Sequence, residues 1–250
     1  MGEPKDKEYK GPYLRKRQPV YAVFKCLIMR LIFRKPEIIN LAGELPQGIV
    51  VANHSAKSGP ACLDLFYPVK TVKWGAYQMF GNFESRKRYL RDVLNIQKCH
   101  KKPGFMNSLK SSLMAIFNPW VYKGMRMLPT YPDGRLMKTL RYSETALSAG
   151  YSVMVFPENS NDGYHEVLKE VFPGFVMLAE KHFRATGVDL PVFPVYYHIK
   201  KRKMIIGKPI YVQELVKQGL NRTQIAQVYC DAINQLYYDY VQDKPETETK

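Results

Sequence analysis

A histidine that follows a short apolar run is the first residue whose position predicts chemistry. Residues 48–52 read Gly-Ile-Val-Val-Ala and lead into Asn53-His54. A continuous apolar run of this length is typical of a strand buried on both faces. An imidazole titrates near neutral pH, so His54 at the end of such a strand can take a proton from an alcohol. The alternative is a structural histidine whose hydrogen bonds are satisfied within the protein.

A carboxylate follows a second apolar run about a hundred residues later. Residues 151–156 predict a strand, and residues 157–163, which begin Pro157-Glu158, predict its exit loop. Loops beyond the carboxyl ends of strands carry the working residues of open α/β sheets, so Glu158 can serve as the orienting partner of a base. The alternative is an exposed acid in a turn whose backbone is set by the proline.

Helices and strands alternate along the rest of the chain, which predicts an α/β fold. Further apolar runs predict strands at residues 69–77, 190–199 and 204–210. Apolar residues at three- and four-residue spacing predict helices at residues 135–148, 174–186 and 221–240. The first two helices end at glycines, and Asn221 with Gln224 has the spacing of a capping pair at the start of the third.

Three regions are expected along the chain. Residues 1–42 predict a basic tail with an amphipathic N-terminal helix, residues 43–243 one α/β domain, and residues 244–250 a frayed charged tail. The apolar run at residues 20–33 carries Lys25 and Arg30 and is shorter than the about 20 residues that span a bilayer. We therefore expect neither a transmembrane helix nor a signal peptide.

The charge of the chain indicates an anionic partner. Its 250 residues include 38 Lys and Arg against 22 Asp and Glu, a formal net charge of +16, which suits nucleic acid, an anionic membrane surface or a phosphate-bearing substrate. Residues 20–33 and 84–126 combine basic with apolar residues, the composition of helices that lie in the plane of a membrane. Although each segment alone is also explained as a solvated basic face over core helices, the two together favour the membrane surface.

Other classes of protein have less support. The basic residues accompany aliphatic residues, without a helix-turn-helix or RNA-recognition signature, so we expect no nucleic-acid partner. No nucleotide or metal motif predicts a cofactor. The four cysteines lie too far apart for a zinc site or a disulfide scaffold, which favours an intracellular protein. A hydrolase that uses Cys62 with His54 is a further alternative, but nothing near Cys62 predicts a lowered thiol pKa.

The two loops together resemble those of the glycerolipid acyltransferase family, which includes the lysophosphatidate acyltransferases. Ala52-Asn53-His54-Ser55 is similar to the start of the family's Asn-His-x4-Asp box, and Val155-Phe156-Pro157-Glu158 to the first half of its Phe-Pro-Glu-Gly-Thr-Arg box. Leu190-Pro191-Val192-Phe193-Pro194-Val195 resembles the family's later strand, and Ile206-Gly207-Lys208-Pro209-Ile210 the segment after it. The resemblance covers residues 43–211, except residues 82–123, for which we find no counterpart.

Both boxes also depart from the family. Gly59 stands where the first box has its aspartate. Asn159-Ser160-Asn161 replaces the Gly-Thr-Arg of the second box and removes the arginine that the family uses on the phosphate of the acceptor. Loss of an orienting carboxylate costs about 10⁴-fold in rate in hydrolytic triads. The alternative to an enzyme is therefore a lipid-binding member of the same fold that has lost catalysis with its aspartate.

The resemblance implies a mixed sheet flanked by helices, with a membrane-contacting N-terminal helix, in a peripheral protein at the cytoplasmic face of the membrane. It implies acyl transfer from acyl-CoA or acyl carrier protein to a hydroxyl of a lysophospholipid or another glycerolipid, without a bound cofactor. His54 is the expected general base, and Glu158, ahead of Asp64 and Asp162, is the expected orienting carboxylate. The expected substrate-binding residues are Asn53, Ser55, Lys57, Ser58, Gly59, Pro157, Asn159, Ser160 and, for an acceptor phosphate, Arg135.

Overall fold

The computed structural model describes residues 9–14, 18–55, 58–161 and 163–243, and the strands in this part of the chain form one sheet of eight strands. They are β1 (Glu37–Asn40), β2 (Ile49–Ala52), β3 (Thr71–Ala76), β4 (Met127–Thr130), β5 (Ser152–Val155), β6 (Pro191–His198), β7 (Lys203–Ile206) and β8 (Ile210–Tyr211). The order across the sheet is β1-β7-β6-β2-β5-β3-β4, and β8 pairs with β6.

The sheet is mixed, and its central part is parallel. β6, β2, β5, β3 and β4 run in one direction, while β7 and β8 are antiparallel to β6 and β1 is parallel to β7. Because β2 and β5 are parallel neighbours, the loops that follow them leave the same edge of the sheet. This arrangement brings the two loops of interest together.

Helices cover both faces of the sheet, and one group lies at its β3–β4 end. The N-terminal helix consists of α1 (Pro19–Phe24), the π-helical segment Lys25–Met29 and α2 (Arg30–Ile32). It is followed by α3 (Gly59–Phe66), the 3₁₀ turn Tyr77–Phe80, α4 (Phe83–Arg88), the π-helical segment Tyr89–Lys98 and α5 (Phe105–Gly124). The remaining helices are α6 (Leu136–Ser148), α7 (Gly174–Thr186), α8 (Val212–Lys217) and α9 (Arg222–Tyr240).

The core has two layers because neighbouring residues of a strand point to opposite faces. On one face, Val51 and Val153 pack with the buried sides of α6, α7 and α9. On the other face, Val50 and Met154 pack with Leu63 of α3. The expected α/β fold, with a mixed sheet flanked by helices, is confirmed in the described part of the chain.

The predicted elements mostly recur with shorter bounds. The capping pair at the start of α9 is confirmed, since the Gln224 main-chain N–H donates to Asn221 Oδ1 at 3.0 Å and the Asn221 N–H to Gln224 Oε1 at 2.9 Å. The single strand predicted at residues 204–210 is wrong, because the chain forms β7 and β8 instead. Between them Gly207 donates to the Pro194 carbonyl at 2.8 Å, and Pro209 has no N–H to continue a ladder.

Within the described residues, no helix combines the length and the apolar character that crossing a bilayer requires. The N-terminal helix packs on the domain through aromatic side chains. The Phe24 and Trp120 rings meet edge to face with centroids 4.9 Å apart, and Tyr21 also contacts Trp120, at 5.7 Å. The helix is therefore attached to α5.

Candidate functional site

The two polar loops meet at the carboxyl edge of the sheet. Ile49 is in register with Val153 and Val51 with Val155, so β2 and β5 end side by side. His54 and Glu158 each come a few residues beyond these pairs, and the His54 main-chain N–H donates to Glu158 Oε2 at 3.1 Å. The structure thus brings the predicted base and the predicted carboxylate to one place.

Asn53 fastens the first loop to β6. Its Nδ2 donates to the Tyr197 carbonyl at 3.0 Å, and its Oδ1 accepts the Tyr197 N–H at 2.7 Å. The residue is 1% exposed. Next along the loop, Ser55 Oγ accepts the Ile199 N–H at 3.2 Å. Asn53 thus makes a buried contact within the protein that holds His54 at the sheet edge, and its expected contact with substrate stays a prediction.

Gly59 is pressed against the carbonyl group of His54. A Cβ atom on Gly59 would lie 1.9 Å from that oxygen, which is far inside van der Waals contact. Gly59 begins α3, and Ser58, which precedes it, caps the helix without a side-chain hydrogen bond. The expected substrate contact of Lys57 lies outside the described residues. In this loop conformation, position 59 therefore accepts no side chain, an aspartate included.

The imidazole of His54 lies against aromatic rings. It stacks on Tyr164 with centroids 4.6 Å apart and planes 22° from parallel, and it approaches Phe156 at 5.4 Å and 59°. The residue is half-buried. A stacked pair of rings of this kind stabilises the imidazole in its observed orientation. Tyr164 was not singled out from the sequence, because its place beside His54 depends on the path of the loop after Glu158.

Glu158 acts on the main chain of the site. Oε2 accepts the His54 N–H, and Oε1 accepts the His165 N–H at 3.3 Å. These bonds fix the backbone from which the imidazole projects, and a contact of Glu158 with the ring stays a prediction. Burial raises the pKa of Glu158, and the two main-chain hydrogen bonds offset that effect only in part.

The other carboxylates weighed as partners of His54 have different surroundings. Asp64 lies in α3 and accepts Lys73 Nζ at 2.7 Å and Lys25 Nζ at 2.8 Å. Burial alone would raise its pKa, but the two ammonium groups hold it below the usual value. Asp162 lies outside the described residues. Asp64 is therefore committed to an ion-paired cluster that joins α3, β3 and the N-terminal helix.

The second loop is tied to the chain that follows it. The Pro157 carbonyl accepts the Phe172 N–H at 2.8 Å, and the Asn159 N–H donates to the Glu170 carbonyl at 3.0 Å. The Asn159 side chain also donates to Glu170 Oε2 at 2.8 Å. The described contacts of Pro157 and Asn159, both expected to bind substrate, therefore shape the loop that presents Glu158.

Ser160 contacts Lys98, a residue that the sequence did not single out for the site. Its buried hydroxyl accepts Lys98 Nζ at 2.7 Å, and the same ammonium lies 5.9 Å from the centroid of the Tyr164 ring. Nearby, Gln97 Nε2 donates to the Asn161 carbonyl at 3.1 Å. Lys98 ends the π-helical segment Tyr89–Lys98, within the region that has no counterpart in the family. Its place in a basic run was the available signal.

Arg135, expected to hold an acceptor phosphate, lies elsewhere on the same edge. It follows β4, three strands from β2 and so roughly 14 Å away across the sheet. Its guanidinium pairs with Asp133 at 2.7 Å and lies over the rings of Tyr77 and Tyr131, at 5.0 and 4.8 Å. The structure does not bring Arg135 to His54.

Cys62 does not have the surroundings of a nucleophile. It is 1% exposed, and burial raises the pKa of its thiol. A reactive cysteine needs a lowered pKa and access to its substrate. The hydrolase alternative therefore loses support.

The chain was compared with known proteins. No family model and no curated protein matches it. Among solved structures it is similar to the crystal structure of the 1-acyl-sn-glycerophosphate (LPA) acyltransferase, PlsC, from Thermotoga maritima, with 13% sequence identity and a TM-score of 0.49. The match covers 90% of this chain and 85% of that chain. A likeness at this level does not identify a function.

Proposed function

We propose that the protein is an acyltransferase, which moves an acyl chain from acyl-CoA or acyl carrier protein to a hydroxyl of a lysophospholipid or another glycerolipid. One observation carries the proposal: the two loops with the family-like motifs meet, with Glu158 bound to the His54 main chain at 3.1 Å. Supporting it, Asn53 and Tyr164 hold the backbone and the ring of His54 from two further directions.

In the proposed reaction His54 acts as general base. A ring nitrogen takes the proton of the acceptor hydroxyl as its oxygen attacks the thioester carbonyl. The new carbon–oxygen bond forms, the carbon–sulfur bond breaks, and the imidazolium returns the proton to the departing thiolate. Main-chain N–H groups of residues 55–59 are the proposed donors to the oxyanion of the tetrahedral intermediate. Glu158 is a positioning residue, because it acts through the backbone of His54.

The proposed setting is the cytoplasmic face of an anionic membrane. The N-terminal helix and α5 contact each other, and both expose large apolar side chains. An exposed apolar patch of this kind is typical of an interaction surface. The exposed side chains are Val20, Val23, Leu27, Leu31 and Ile32 on the first helix, and Phe105, Met106, Leu109, Leu113, Ile116, Phe117 and Trp120 on the second. Together with the net charge of +16, this surface suits a bilayer of anionic lipids.

The test is acyl transfer from acyl-CoA and acyl carrier protein donors to mixed lysolipids on anionic vesicles. Wild-type protein is expected to turn over, and His54→Ala to lose about 10³-fold in rate, the typical worth of a general base. His182→Gln is a matched control, because His182 bonds to Glu144 on α6, away from the loops, and is expected to keep its rate. An unchanged rate in His54→Ala would remove His54 as the base.

A second candidate is a lipid-binding member of the fold without catalysis. The close contact of Gly59 with the His54 carbonyl favours it, because the position at which the family carries its aspartate has no room for one. In that case wild-type protein and His54→Ala would bind the vesicles equally, and neither would transfer an acyl chain from any donor. The same assay therefore separates the two candidates.

A further inference from the structure

Lys98 and His54 share one aromatic neighbour. The Lys98 ammonium lies 5.9 Å from the centroid of the Tyr164 ring, on which the imidazole stacks at 4.6 Å. Lys98 lies at the end of the π-helical segment that follows α4, outside both loops. A cation therefore lies near the ring on which the proposed base stacks, and it comes from a part of the chain outside the two motifs.

The ammonium has unused binding capacity. Of its three N–H donors, one is accounted for by the Ser160 hydroxyl, which is a neutral partner. Among residues 9–14, 18–55, 58–161 and 163–243, no carboxylate lies within 4.0 Å of it. Glu158 attracts it from a distance, but both of its oxygens bind main-chain N–H groups.

A partly buried ammonium whose only hydrogen-bond partner among the described residues is a neutral hydroxyl is energetically unfavourable. Burial lowers the pKa of Lys98, because a partly desolvated ammonium loses hydration that a hydroxyl replaces only in part. Titratable groups with perturbed pKa values cluster at functional sites. An anion bound to the remaining N–H groups would add a charged partner in direct contact to the more distant attraction of Glu158.

We propose that Lys98, with Ser160, binds a phosphate group of one of the two substrates beside His54. The inference rests on the proposed function and names the residue that recognises its charged substrate. In a lysophosphatidate, two carbons and one ester oxygen separate the reacting hydroxyl from the phosphorus, and the proposal has the hydroxyl meet His54 while the phosphate meets Lys98. The phosphates of coenzyme A and of phosphopantetheine are the other source of the same chemistry. Lysine binds phosphate as a point charge.

The competing explanation is a structural latch. The bond from Lys98 to Ser160, like the bond from Gln97 to the Asn161 carbonyl, joins the π-helical segment to the second loop. A latch would affect every acceptor alike, whereas a phosphate site would affect only substrates that carry the phosphate. This difference decides the experiment.

The experiment compares Lys98→Met and Lys98→Arg with Lys102→Met, which removes an exposed lysine four residues away. Each is assayed with a short-chain lysophosphatidate and with the corresponding uncharged monoacylglycerol. For Lys98→Met the KM for lysophosphatidate is expected to rise about 10- to 100-fold, the worth of a hydrogen bond to a charged group, with little change for the monoacylglycerol. Lys98→Arg and Lys102→Met should resemble wild type.

The outcomes separate the sources of the phosphate. A rise confined to the KM of the acyl donor would place the donor's phosphate on Lys98 and leave the inference standing. Equal losses for charged and uncharged acceptors with an unchanged KM for the donor would overturn it and leave Lys98 as a latch, and no loss with any substrate would overturn it as well.

A second measurement does not depend on turnover. Calorimetric titration without a donor should show the lysophosphatidate bound about tenfold more weakly by Lys98→Met than by wild type. Equal affinity for the lysophosphatidate, and for coenzyme A titrated in the same way, would overturn the phosphate site. If wild-type protein transfers no acyl group from any donor, the proposed function fails, yet this titration still decides the role of Lys98.

Discussion

The carboxylates of Glu158 and Asp64 are buried to a similar degree and have opposite surroundings. Glu158 is 8% exposed, and the Asp64 side chain 5%. Glu158 accepts two main-chain N–H groups, and its pKa is raised. Asp64 accepts two lysine ammonium groups, and its pKa is lowered.

The difference separates a structural carboxylate from one in the site. Around Asp64, Lys73 is fully buried and Lys25 partly so, and the charges compensate each other. Around Glu158 the nearest support is the partial charge of backbone amides, which compensates a carboxylate less well than a full charge does. We therefore expect Asp64 to govern stability and Glu158 to govern the site.

The largest effect on stability is expected from Asp64→Ala. It leaves the ammonium of Lys73 buried without its partner, which costs about 3–5 kcal/mol in the free energy of unfolding, measured by urea denaturation. The control Asp92→Ala removes an exposed carboxylate paired with Arg91 and should cost less than about 1 kcal/mol. A loss for Asp64→Ala no larger than that of the control would contradict the structural role.

Glu158→Gln is expected to have a smaller effect on stability and a clear effect on activity. The amide can accept one of the two N–H groups but presents a donor to the other, at a cost of about 1–2 kcal/mol. Displacement of the His54 backbone should lower the acyl-transfer rate about 10- to 100-fold. The matched variant Asp64→Asn should lose more stability; an unchanged rate in Glu158→Gln would remove Glu158 from the site.

The smallest effect is expected in the pH dependence of unfolding. Glu158 has a raised pKa, so its contribution is greatest below the pKa of an unfolded glutamate and decreases as the pH rises through the folded value. Asp64 has a lowered pKa, so its contribution is present above the unfolded value and is lost as the pH falls through the folded one. As the pH falls from 7 to 4.5, the free energy of unfolding of wild type should therefore rise relative to that of Glu158→Gln. A difference in the free energy of unfolding that stays constant over this range would refute the raised pKa.

The meeting of the two loops could be predicted from the sequence, but the contacts within the site could not. The apolar runs before Asn53 and Pro157 identify two strands, but their order in the sheet could not be derived, and the expectation that their loops lie together follows from the resemblance of the two boxes. The sequence does not show that Glu158 binds the main-chain N–H of His54, because a carboxylate beside a histidine can accept a hydrogen bond from its ring or from its main chain. Lys98 was missed because its contact with Ser160 spans 62 residues and depends on the path of an unmatched segment.

The contact between Gly59 and the His54 carbonyl also bears on how this site can change by mutation. A codon change that places an aspartate at position 59 would meet the backbone before it could meet the imidazole, since even a Cβ there lies 1.9 Å from the carbonyl oxygen. The glycine and the shape of the loop are thus mutually dependent. Laboratory evolution toward the family's first box should therefore first yield substitutions that reshape the loop, and an acidic residue at position 59 only afterwards.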